Sequence, residues 1–80
     1  MANVSERMTR LIKEKLKLGA QQLSPNARFR EDLKATSLAL ILLQVAMEEE
    51  FNLELKEEDA LSIVSLQTAL EYLAGRGIKD

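Results

Sequence analysis

EDLKATSLALILLQVAMEEEF, residues 31–51, decides the reading of this chain. Ser37 is the last hydroxyl before the most apolar helix-like run in the protein. The stretch after it predicts a helix over about 37–50, on which two apolar stripes overlap. Leu40, Leu43, Met47 and, just past the end, Phe51 form one. Leu38, Ile41, Leu42 and Val45 form the other, at i, i+3, i+4, i+7 spacing. A surface helix needs one such stripe, so this helix is either central or keeps its second face for a partner. Ser37 itself has two available roles. A serine before a helix caps it, for about 1 kcal/mol. At the positive end of the helix dipole it also suits attachment of a phosphate-linked group.

Working outward, three more helices follow from periodicity. Met8, Leu11, Ile12 and Leu16 mark an apolar stripe over about 5–17, with Ser5 or Asn3 as cap and Gly19 as stop. Glu57-Glu58-Asp59 opens a short helix over about 57–62, where acidic residues suit the dipole. That cluster lacks the spacing of a calcium loop. Leu66, Ala69, Leu70 and Leu73 predict a last helix over about 66–74, capped by Ser65 and ended by Gly75 and Gly77. Between the first two helices, residues 18–36 show no clean period. A connector this long is uncommon and often functional. Leu18, Leu23, Phe29 and Leu33 punctuate it, which predicts an ordered loop pinned to the helices. The expected fold class is all-α, a four-helix bundle in one domain over residues 1–80.

Composition narrows the chemistry. The 80 residues include no cysteine and no histidine. Disulfides, thiolate metal sites, Ser-His and Cys-His nucleophile pairs and the usual zinc ligands are therefore absent. Self-contained catalysis is not expected, nor is a metal site. Residues 1–34 carry 8 basic and 4 acidic groups, and residues 35–80 carry 3 and 9. The cations Arg7, Arg10, Lys13, Lys15 and Lys17 fall on polar helix positions without interleaved aromatics, a pattern of a solvated face rather than of nucleic-acid binding. The opening MANVSERMTR lacks a signal-peptide pattern, and the run from Leu38 to Met47 is half a membrane span. The expectation is a soluble, cytoplasmic monomer.

At this point the residues resemble a family, the acyl carrier proteins. The resemblance runs without gaps from about Glu6 to Leu73, through ERMTRLIKEKL, NARFREDL, LKATSL, AMEEEFNLEL and KEEDALSIVSLQTALEYL. The family's site motif is Asp-Ser-Leu; here it reads Thr36-Ser37-Leu38. Three residues alone are a weak signal, and the matching register over most of the chain is the stronger one. The resemblance implies the acyl-carrier type of bundle, with Ser37 carrying 4'-phosphopantetheine derived from coenzyme A. It implies as partners a phosphopantetheinyl transferase and acyl-processing enzymes such as a ketosynthase, dehydratase or acyltransferase. The cofactor then supplies the thiol that this sequence lacks. The resemblance also implies an acyl-binding interior, for which Phe29, Leu43, Met47, Ile63, Ala69 and Leu73 are candidates; ordinary core is their other reading.

The departures from the family pattern matter equally. Thr36 replaces the usual Asp, and Ala39 and Leu42 stand where acidic docking residues are usual. Glu48 and Glu49 remain further along, and Arg28 and Arg30 add cations to the approach loop. The expectation is a specialised carrier that docks through Thr36, Leu38, Ala39, Ile41, Leu42, Val45, Glu48 and Glu49, with apolar contact outweighing charge. An aminoacyl or peptidyl carrier and an unmodified helical interaction module are the alternatives.

Overall fold

The computed structural model describes residues 3–80. The first helix, α1, spans Val4–Leu16. Of the two expected caps, Asn3 is the one used. Its side chain accepts from the Glu6 N–H at 2.8 Å, and the Glu6 carboxylate reaches back to the Asn3 N–H. This reciprocal box satisfies two donors that a helix start otherwise leaves unpaired. Met8, Leu11 and Ile12 are buried on its inner face. The helix ends one residue earlier than its period suggested. Lys17, rather than Gly19, takes the first left-handed position, with φ 56°, and Gly19 follows with φ 64°.

The second helix, α2, spans Ser37–Phe51, and left-handed Asn52 ends it. Leu43, Ala46, Met47 and Phe51 turn inward. The α1–α2 contact is locked by charge at one end. Glu50 receives the Arg7 Nε at 2.8 Å and an Arg10 Nη at 3.1 Å, and Arg7 also stacks over the Phe51 ring at 4.6 Å. The hydrogen bond from Arg7, reinforced by the charge of Arg10, holds the Glu50 carboxyl below its ordinary value.

A short helix, α3, spans Glu57–Leu61 and buries no residue fully. The last helix, α4, spans Leu66–Gly75. Ser65 caps it, and Thr68 completes the box by accepting from the Ser65 N–H. Leu66, Ala69 and Leu73 bury its inner face, and α1 packs against both α2 and α4. No strand forms among the described residues; one isolated antiparallel bridge joins Arg28 to Ser65.

That bridge shows how the connector is ordered. The Gln67 N–H donates to the Pro25 carbonyl and the Phe29 N–H to the Val64 carbonyl, each at 2.9 Å. Leu23 and Phe29 are buried in the common core. Beyond Phe29 the chain folds back through a tight turn. Asp32 caps the Arg28 N–H at 2.8 Å, Lys34 adopts φ 58°, and the Ala35 N–H returns to the Phe29 carbonyl at 2.8 Å. The turn delivers Thr36 and Ser37 to the start of α2 in a fixed orientation. Among the described residues no helix is long and apolar enough to cross a membrane.

Candidate functional site

The structure separates the two roles open to Ser37. Thr36, not Ser37, is the N-cap of α2. Its hydroxyl oxygen accepts from the Ala39 N–H at 3.1 Å, and its carbonyl accepts from the Leu40 N–H at 3.1 Å. Capping is thus done one residue earlier, because the extended backbone at Thr36 aims its side chain back over the first turn. Ser37 occupies the first helical position, exposed, with its hydroxyl free of that duty.

The surroundings of Ser37 Oγ are electropositive. The Arg30 Nη2 donates to it at 2.9 Å. The Ser37 and Leu38 N–H groups meet no acceptor among the described residues, and the first turn of α2 holds no acidic residue. Unpaired N–H groups, the positive end of a fifteen-residue helix and a guanidinium together favour a negatively charged group on this oxygen. A phosphodiester fits that donor set.

The two stripes of α2 divide as a central face and a free face. Leu38 is 66% exposed, Ile41 54%, and Leu42 and Val45 47% each. Together with half-buried Ala39 they form an apolar surface that begins beside Ser37. Glu49 is exposed on the same helix. Glu48, expected among the docking residues, is otherwise engaged. It is half-buried, and its carboxylate accepts from the Leu55 N–H at 2.8 Å, tying the α2–α3 loop to α2.

A cavity of about 510 Å³ lies between α2 and α3. Of the six acyl-cavity candidates, Phe29, Leu43, Met47 and Ile63 line it. Ala69 and Leu73 do not. Both are fully buried in the core, on the face of α4 that packs inward, and belong to ordinary packing. Sequence reasoning missed Leu40, Gln44, Leu55 and Ala60 as lining residues, and missed Arg30, which reaches both this cavity and Ser37. Leu40 and Gln44 are recoverable in principle, since they share a helical face with Leu43 and Met47. Arg30 sits in the aperiodic connector, and nothing in its spacing signals the contact.

Comparison with known proteins agrees with this geometry. The family model described as "Phosphopantetheine attachment site" matches residues 6–73. An acyl carrier protein of Nitratidesulfovibrio vulgaris is 39% identical over 74 residues, covering 92% of this chain and 97% of the relative. A solved structure from Mycobacterium tuberculosis, of a protein proposed to be an acyl carrier protein, superposes with a TM-score of 0.81. It covers 90% of this chain and 96% of its own at 24% identity, which establishes the shared fold. The chain belongs to the phosphopantetheine-attachment family, as an acyl carrier protein and not an enzyme, with 4'-phosphopantetheine as its cofactor.

Proposed function

We propose that Ser37 is the attachment residue and that the chain shuttles acyl intermediates, as thioesters on the arm, between enzymes of fatty-acid, polyketide or related specialised biosynthesis. The observation that carries this reading is the Ser37 hydroxyl itself: exposed, relieved of capping by Thr36, and set among donors that favour a phosphodiester. On attachment, Ser37 Oγ attacks the pantetheine-bearing phosphorus of the coenzyme A pyrophosphate, and adenosine 3',5'-bisphosphate is the leaving group. The bond to the adenosine-bearing phosphate breaks, and a base of the transferase takes the hydroxyl proton. The protein then binds and orients while the cofactor thiol carries the cargo.

The α2–α3 cavity supports acyl cargo. Its walls are mainly apolar, with Leu40, Leu43, Met47, Leu55 and Ile63 around a volume within the range of small-molecule sites. The exposed face of Leu38, Ala39, Ile41, Leu42 and Val45 is the partner-docking surface in this reading, with Thr36 and Glu49 at its margins. Such a face takes a ketosynthase, dehydratase or acyltransferase chiefly by apolar burial, in the cytoplasm, as a specialised carrier. Loading separates acyl from aminoacyl carriage. Holo protein is offered an acyl donor with an acyltransferase, and amino acids with an adenylating enzyme. Intact mass is expected to show the acyl thioester; an aminoacyl thioester alone would contradict the reading.

A further inference from the structure

Arg30, unlike Arg7, Arg10 and Arg28, is an arginine that no carboxylate among the described residues engages. Arg7 and Arg10 meet Glu50, and Arg28 meets Glu31, each within salt-bridge distance. Arg30 meets no carboxylate among the described residues; its recorded partner is Ser37 Oγ, at 2.9 Å from Nη2. A guanidinium stays charged and donates only, so it cannot take the serine proton. An exposed arginine spent on a neutral hydroxyl gains little. The same donor beside a phosphodiester gains a charge-assisted bond. Arg30 also lines the cavity between α2 and α3, which the hydroxyl of Ser37 does not reach. One side chain therefore contacts the attachment oxygen and also lines the α2–α3 cavity.

From this juxtaposition we infer that Arg30 is the phosphodiester clamp of the carrier arm, and that it sets the resting direction of the arm toward the α2–α3 cavity. The inference rests on Ser37 being the attachment residue. A phosphorus bonded to Ser37 Oγ places its unesterified oxygens next to the guanidinium. Pairing there favours arm conformations that lead past Arg30 to the cavity over those that point into solvent. The turn that Phe29 anchors fixes the backbone at Arg30, so only the exposed side chain has to be ordered when it pairs. Glu57 is the acidic residue on the cavity wall, and it does not come within salt-bridge distance of Arg30.

The test compares holo protein of the wild type, Arg30→Gln and Arg30→Lys. Intact mass first establishes the adduct in each. The ³¹P resonance of the phosphodiester is then recorded against salt, with the rate at which a bulky maleimide alkylates the arm thiol. A wild-type ³¹P shift that differs from Arg30→Gln and converges on it with added salt is expected. Alkylation should be about two- to fivefold slower in the wild type than in Arg30→Gln, the range an exposed ion pair supplies. Arg30→Lys, which keeps the charge, should retain part of both effects. Identical shifts and rates in wild type and Arg30→Gln, or a Lys variant that behaves as Gln does, would overturn the clamp. Absence of an adduct in all three chains would instead overturn the assignment of Ser37, and the clamp with it.

Discussion

Replacing Phe29 by alanine tests whether the connector is ordered by its buried anchor. Phe29 is 2% exposed, and its N–H and carbonyl both hold the turn that leads to Ser37. Removing a buried phenyl ring costs about 3–5 kcal/mol, from lost transfer energy and the void left behind. Phe29 already faces the α2–α3 cavity on one side, so fewer contacts are lost there and the low end, about 3 kcal/mol, applies. A domain of 80 residues has about 4–12 kcal/mol in total, so the variant should fold with little margin. In urea denaturation at an m-value of about 1 kcal/mol/M, the midpoint should fall by about 3 M. Leu38→Ala is the control: at 66% exposure it should change stability by less than about 0.5 kcal/mol. If both variants shift the midpoint equally little, the connector is not pinned by Phe29. The fixed backbone at Arg30 then loses its support.

Three further outcomes follow from particular contacts. Thr36→Ala removes the cap of α2 and should cost about 1 kcal/mol in chemical denaturation, whereas Ser37→Ala should cost much less, because Ser37 caps nothing. Equal losses would mean that the two hydroxyls share the capping. Glu50 has a depressed folded-state pKa, so the stability from its arginine pair is present above the ordinary glutamate value and lost as pH falls through the lower folded one. Denaturation curves taken from about pH 6 down to about pH 3 should show a shallower acid-side decline for Glu50→Gln, and an unchanged slope would count against the pairing. Leu42→Glu places a charge on the exposed face of α2 and should weaken a cognate synthase by about tenfold in Kd, roughly half the burial energy of a leucine. Wild-type affinity should decline only gently with salt, and a steep decline would assign docking to charge.

The helices were legible because each carries its period and its punctuation. Met8, Leu11 and Ile12 on α1, and Leu66, Ala69 and Leu73 on α4, are buried as their spacing requires. Asn3 and Ser65 cap as their residue types suggest. The double stripe on α2 gave a choice between a central helix and a free face, and the exposure of Leu38, Ile41, Leu42 and Val45 selects the free face. What stayed hidden depends on three-dimensional closure. Whether Thr36 or Ser37 caps α2 turns on one backbone conformation, and both residues are good caps by type. Ala69 and Leu73 carry the same apolar signature as cavity-lining residues, and which wall meets the void is set by how α3 sits against α2. Glu48 reads as a surface acid until the Leu55 N–H reaches it. Arg30 lies in an aperiodic segment, and its approach to Ser37 comes from the turn at Asp32 and Lys34.

The central claim is that Ser37, and no other hydroxyl, receives the prosthetic group. The chain is incubated with coenzyme A, a divalent cation and a broad-specificity phosphopantetheinyl transferase, and its intact mass is compared for the wild type, Ser37→Ala and Thr36→Ala. A single phosphopantetheine adduct is predicted on the wild type and on Thr36→Ala, and none on Ser37→Ala. An adduct that persists in Ser37→Ala would contradict the assignment, as would an unmodified wild type with every transferase tried.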